Sequence, residues 1–167
     1  MAKALSDYAK ADLVPGDREA VLAEMKDDND RAFVILTASL TETVLTRAIK
    51  NKLPNLDNVT EAELFGVDRP LGTYSSKIKL GYAVGLYGRQ TKAHLERVRE
   101  IRNACAHSRK PISFATPELA AVAALFPADP KQPTPPAGMP EHLLLRLRYH
   151  AYIVSVENAL LAQRVLP

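Results

Sequence analysis

Between Asn29 and Pro54 runs a stretch that is apolar around most of a helix circumference: Phe33, Val34, Ile35, Leu36, Leu40, Val44, Leu45, Ala48 and Ile49. A helix that is apolar on most sides must be covered by other elements, so it belongs at the centre of a bundle and not on its surface. Asn29 or Asp30 opens it, and Pro54 with Asn55 ends it, which defines a long central helix over residues 30–53. The rest of the chain has to supply its cover.

That cover reads as more helix, because no stretch sustains the two-residue alternation of a half-buried strand. A first helix is expected over Gly16–Met25 with Asp17 as its N-cap, preceded by a loosely ordered segment, residues 1–14. A short one follows from Thr60 to Phe65, where Thr60 stands three residues before Glu63 in the capping-box arrangement. After a loop over residues 66–72, another helix starts near Thr73 or Ser75 and stops at a left-handed Gly88; its inner face would hold Ile78, Tyr82 and Leu86. Gly81 and Gly85 fall four apart, a spacing that admits close approach of a neighbouring helix. A strong helix covers Thr91 to Ser108, and a short one Pro117 to Phe126, with Thr116 as N-cap and Pro117 as first helical residue. Residues 127–140 hold six prolines and are expected to form an extended surface crossover. The last helix, Glu141 to about Leu166, is too apolar for a solvated tail and must pack back. The expectation is all-α: one helical bundle of about six helices in a single domain over residues 1–167.

At 167 residues a folded domain hides roughly 70% of the surface its unfolded chain exposes, enough for a core without disulfide or metal support. The single cysteine excludes an internal disulfide framework. No segment reaches the ~18 consecutive apolar residues of a membrane span, since Glu42 and Arg47 interrupt the central helix and Arg146, Arg148 and Glu157 the last one. Residues 1–10 mix acids and bases and lack the apolar centre of an export signal. The reading is a cytoplasmic protein with no membrane partner. Its net charge of +3 conceals an uneven distribution. Residues 1–30 carry four bases against eight acids, whereas residues 77–110 carry nine bases against Glu96 and Glu100. Any affinity for an anionic surface should lie in that second stretch.

Chemistry-bearing motifs are few. The four histidines lack zincin spacing and cysteine partners, and there is no GxSxG, P-loop or GxGxxG, so no metal and no cofactor is expected. Cys105 shares a helix face with Leu95, Val98 and Ile101 and reads as a small core residue. The segment from His94 to Lys110, HLERVREIRNACAHSRK, splits into that apolar face and an opposite face of Glu96, Arg99, Glu100, Asn103 and His107, with Arg102 at the flank. Arginine beside histidine suits phosphodiester chemistry, the one as phosphate fork and the other as proton carrier, if the helix end turns His107 inward. A histidine in a last helical turn also complements free carbonyls, and Arg99 can pair with Glu96 as an ordinary charged face. Glu42, the lone acid of the central helix's interior, is either a buried carboxylate paired with an arginine or the edge of a solvated strip.

The run FGVDRPLGTYSSKIKLGYAVGLYGRQTKAHLERVREIRNACAH, Phe65 to His107, resembles the mannitol operon repressor family in its proline-leucine-glycine loop, its SSKIKLGYAVGL helix and its IRNACAHS end. The resemblance implies an all-helical bacterial protein, dimeric, tied to transcriptional regulation and without a DNA-reading module; no helix-turn-helix pair is visible here either. The IRNACAH segment also matches the arginine, four residues, histidine motif of the HEPN superfamily, which implies Arg102 as phosphate clamp, His107 as proton carrier and Asn103 as assistant in a cleft between two protomers.

Two functional readings follow. The first is a non-enzymatic homodimeric regulator that contacts another protein, such as a transcription factor, with Arg99, Arg109 and Lys110 as anion or partner contacts. The alternative is a metal-independent endoribonuclease acting on RNA through Arg102, Asn103 and His107. Direct sequence-specific DNA binding ranks below both, since Glu96 and Glu100 dilute the face that would dock.

Overall fold

The computed structural model describes residues 29–108, 112–128, 135–136 and 138–162. In them the chain forms six helices: α1 Asp30–Lys50, α2 Asn58–Phe65, α3 Tyr74–Ala83, α4 Arg89–His107, α5 Pro117–Ala123 and α6 Glu141–Leu161. The described residues contain no strand, so the all-α expectation holds. The expected Gly16–Met25 helix and the 1–14 segment lie outside the described residues. Residues 127, 128, 135, 136 and 138–140 of the proline-rich crossover lie outside every helix, and all but Met139 are exposed.

The helix α1 packs against α6, α4 and α3, which makes it the centre of the bundle. Its length and composition pass for those of a membrane-crossing helix despite Glu42 and Arg47, contrary to the expectation from those two charges. Here its apolar surface is turned on protein: Phe33, Val34, Ala38, Leu45, Ala48 and Ile49 are buried among the other helices. The pairing with α6 is parallel and in register. Asp30 meets Arg146 at 3.2 Å, Phe33 meets the rings of Tyr149 and His150 at 6.3 and 5.5 Å, and Thr41 donates to Glu157 at 2.9 Å. Across this seam and the loop after α4, Phe33, Phe114, Tyr149, Phe126 and Tyr152 touch in series with tilted or edge-to-face rings 5.2 to 6.4 Å apart. Aromatic rings prefer such geometries because their quadrupoles then attract.

Local signals explain most boundaries. Asn29 caps α1, its side-chain oxygen accepting the N–H groups of Arg31 and Ala32 at 3.0 and 3.4 Å. Thr73 caps α3 by accepting the N–H of Ser76 at 3.1 Å. At α2 the cap is Asp57, not Thr60: the Asp57 carboxylate accepts the Thr60 N–H at 2.7 Å, and that bond holds its carboxyl below the usual range. Aspartate outranks threonine as a cap, and the helix accordingly starts a half-turn earlier.

The end of α3 also differs from expectation. The left-handed residue is Gly85 (φ +73°), whereas Gly88 has φ −85° and caps α4. The N–H of Leu86 donates to the Gly81 carbonyl at 3.0 Å and that of Gly85 to the Tyr82 carbonyl at 3.1 Å, the paired bonds of a Schellman turn. This turn drives Leu86 and Tyr87 into the core. Tyr87 then donates its hydroxyl to the Ile78 carbonyl at 2.8 Å and lays its ring over Gly81. The close approach that Gly81 allows is therefore by the Tyr87 ring and not by another helix. Tyr82, expected inside, is on the surface because the turn spends its inward positions on Leu86 and Tyr87.

A methyl group at Gly81 would stand 2.6 Å from the Tyr87 hydroxyl and 3.0 Å from its ring. Gly81→Ala should lower stability by about 1–3 kcal/mol in urea unfolding, the usual cost of overpacking. Adding Tyr87→Phe should make the two losses less than additive, since the closest atom is gone. A neutral or stabilising Gly81→Ala would contradict this packing.

Candidate functional site

Helix α4 carries most of the residues singled out from sequence, and its two faces are set by spacing. Thr91, His94, Leu95, Val98, Ile101 and Cys105 recur every three or four residues and are buried. Arg89, Lys92, Glu96, Arg99, Glu100, Asn103 and His107 lie along the opposite face, from half-buried to exposed.

On the buried face, His94 sits edge-on to Tyr152 at 4.8 Å and near Phe126 at 5.8 Å. Burial, with Arg97 adding repulsion, lowers its pKa below the ordinary value and keeps the imidazole neutral in the core. Cys105 is fully buried, and burial outweighs the nearby Arg31 charge to push its thiol up to about 11. The thiol is therefore a core group without nucleophilic character at neutral pH.

The three residues of the HEPN-like motif are not assembled in this chain. Arg102 donates to the Asn103 side-chain oxygen at 3.0 Å, both residues being half-buried. His107 is exposed in the last turn of α4, and among the described residues no hydrogen bond or ion pair joins it to Arg102 or Asn103. A separation of five residues turns a helix by 140°, so the two members of the motif point away from one another. The terminus of α4 is instead tied to α1, where Arg31 donates to the Ser108 carbonyl at 3.0 Å.

The basic stretch over residues 77–110 divides in the same way. Lys77 is buried and paired with Glu42 at 2.7 Å, so the central helix's acid does have a partner, a lysine from α3 in place of the arginine considered from sequence. Lysine serves because its flexible stem can run along apolar surface to reach the carboxylate. Arg99 is paired with Glu96 at 2.8 Å, as its spacing suggested. Arg109 and Lys110 lie outside the described residues.

What remains is a group that sequence reasoning did not assemble. Lys92 of α4 stands 4.9 Å from the centre of the Tyr82 ring of α3. Lys79 lies three residues before Tyr82, and Arg89 three before Lys92, so each is a same-face neighbour. Lys79, Tyr82 and Arg89 are exposed, Lys92 is half-buried, and none of the three cations has an ion pair among the described residues. The first turn of α4 contains no acid. The available signal was the pair Gly85 and Gly88: a turn there makes α3 and α4 a hairpin, with Tyr82 three residues before it and Lys92 four residues after it. A cation on a tyrosine face beside two free cations makes a small basic and aromatic surface, suited to carboxylate side chains and to the flat contacts of a protein interface.

No family model matches the chain, and no curated protein matches it. Among solved structures, the chain is similar to one described as the X-ray structure of the MtlR-HPr complex from Escherichia coli, at 22% identity and TM-score 0.48, over 87% of this chain and 94% of that chain.

A core thiol of this kind should react with a thiol reagent at pH near 8 about a hundredfold more slowly in the folded protein than in urea, from its thiolate deficit alone. A rate in the folded state close to that of the unfolded chain would show Cys105 to be accessible and available for chemistry.

Proposed function

We propose that this chain is a non-enzymatic helical regulatory protein of the mannitol operon repressor type, working in the cytoplasm as a homodimer and through contact with another protein. One observation carries the reading: the basic stretch is broken up by internal pairs, and three of its cations without an ion pair among the described residues, Lys79, Arg89 and Lys92, lie on the α3–α4 hairpin that carries Tyr82. Duplex DNA favours a longer run of cations matched to its phosphate spacing, and Glu96 and Glu100 sit within the face that would meet it. A compact patch of three cations and one aromatic ring suits an acidic protein surface, of the kind a transcription factor can present, without operator reading. The motif resemblance over Phe65–His107 spans this same α3–α4 hairpin. The whole chain acts as one domain in this reading.

Purified protein incubated with single-stranded RNA in EDTA should leave it intact. Cleavage by the wild type that both Arg102→Ala and His107→Ala abolish, with the fold retained, would replace this proposal with the endoribonuclease reading. The basic face makes a second prediction. A fluorescent oligoglutamate peptide should bind in low salt, and Lys79→Ala/Arg89→Ala/Lys92→Ala should weaken it by about tenfold, the sum of three surface ion pairs. Arg99→Ala should change the affinity little, because Glu96 already neutralises that guanidinium. Equal losses from both variants would show that overall charge, and not this face, governs binding.

A further inference from the structure

Helix α2 stands outside the packing that builds the bundle. Among the described residues that packing runs between α1 and α3, α4 or α6, between α3 and α4, and between α5 and α4 or α6, and α2 buries none of its residues. One side of α2 is tied down: Lys50, at the end of α1, meets Glu61 at 2.7 Å and lies 5.3 Å from the centre of the Phe65 ring. The other side is bare. Val59, Ala62 and Glu63 recur at three and four residues and are all exposed. Past the helix end, Val67 and Asp68 stand in a loop ordered by its own backbone, in which the N–H groups of Arg69, Leu71 and Gly72 donate to the carbonyls of Gly66, Leu64 and Arg69 at 3.2, 2.8 and 2.9 Å. Asp68 holds a left-handed backbone there, φ 62°, which aspartate accepts more readily than most side chains. Val67 and Val59, 80% and 68% exposed, are the most exposed large apolar side chains among the described residues. From Asp57 to Asp68 the chain has four acids and no base. Glu61 is paired with Lys50 and Asp57 caps α2, which leaves Glu63 and Asp68 without an ion pair among the described residues.

We propose that this acidic and apolar face of α2 seats on the basic face of a second copy of the chain. Charge complementarity selects that occupant. The carboxylates of Glu63 and Asp68, with Val59 and Val67 beside them in the chain, find their complement in Lys79, Arg89 and Lys92 on the hairpin that carries the exposed Tyr82 ring. The α2 of the same chain does not cover that hairpin face, since Lys79, Tyr82 and Arg89 are exposed with α2 in place. Two copies about a twofold axis make the contact twice, and both faces sit on ordered backbone, so little has to be frozen when they meet. This arrangement rests on the basic face being a seat for carboxylates, and it adds regulation to that seat. The dimer conceals the face and is the resting form; an acidic partner has to displace α2 to reach it.

Charge reversal in the full chain tests it. Sedimentation velocity in low salt should show dimers of the wild type at about 100 µM protein, the range of a small transient interface. Lys79→Glu/Arg89→Glu on one face, or Glu63→Lys/Asp68→Asn on the other, should each weaken the dimer at least about tenfold, because every contact then sets like charge against like. Asparagine is chosen at position 68 because it also accepts the left-handed backbone. Lys79→Gln/Arg89→Gln, which removes charge without reversing it, should give a smaller loss in the same direction. A one-to-one mixture of the two reversed variants should dimerise to within about threefold of the wild type, since each contact again pairs opposite charges. Monomeric wild type, dimers that both reversals leave intact, or a mixture no tighter than its components would each overturn the proposal. The oligoglutamate peptide separates this arrangement from the reading beneath it. It should dissociate the wild-type dimer and bind Glu63→Lys/Asp68→Asn, whose basic face is uncovered, at least as tightly as the wild type. A peptide that binds that variant but leaves the wild-type dimer whole overturns the α2 contact alone; one that fails to bind the variant removes the basic face as a carboxylate seat, and the α2 contact with it.

Discussion

The parallel seam between α1 and α6 is the constraint from which the rest of the molecule follows. Two helices separated in sequence by four others are held in one register by an ion pair at Asp30 and Arg146, an aromatic cluster around Phe33 and a buried hydrogen bond from Thr41 to Glu157. The Asp30 carboxylate does double duty. One oxygen meets Arg146, and the other accepts the Phe114 N–H at 2.9 Å, which fixes the loop between α4 and α5. Arg146 in turn lies 4.5 Å over the Phe33 ring. Each large side chain this seam buries contributes about 1.5–3 kcal/mol, and the polar contacts add modestly while excluding shifted registers, since a slip of one helical turn would leave Glu157 buried without Thr41.

From this seam the site is positioned. Helices α3 and α4 pack against other sides of α1, and the Lys77–Glu42 pair pins α3 to it. The Schellman turn at Gly85 then reverses the chain tightly enough to set Lys92 over Tyr82. The basic face is therefore a product of one turn and two anchored helices. Interaction surfaces on rigid elements need less ordering on binding than surfaces on loops.

Much of the fold was legible in the residues. The circumferential apolarity of residues 30–53 made α1 central, and the spacing of Leu95, Val98, Ile101 and Cys105 gave the buried face of α4. The caps of α1 and α3 were legible to within two residues each, Asn29 or Asp30 and Thr73 or Ser75, and the proline at the start of α5 was plain. What was not legible depended on tertiary choice. Whether Gly85 or Gly88 would stop α3 turned on which arrangement buries Leu86 and Tyr87, and with that choice went the fate of Tyr82. Glu42 was visible as an acid in need of a partner, but Lys77 lies 35 residues away on another helix. The site was less legible than the fold. Arg102, Asn103 and His107 stood out as a motif, and the structure brings together only Arg102 and Asn103. The Tyr82 patch, by contrast, has no motif and exists only because two helices meet. The aromatic series through Phe114 and Phe126 joins residues from loops and helix ends, where periodicity carries no information.

The central claim is that α1 and α6 form one cooperative unit on which the other helices are mounted. Native-state hydrogen exchange measures this directly. The account predicts that the slowest amides lie in both Val34–Ile49 and Tyr149–Leu160, and that the two sets exchange with the same opening free energy, that of global unfolding. Faster exchange of α6 at a lower free energy, with α1 and α4 still protected, would show that α6 is an appendage and that the seam is not what holds the bundle together.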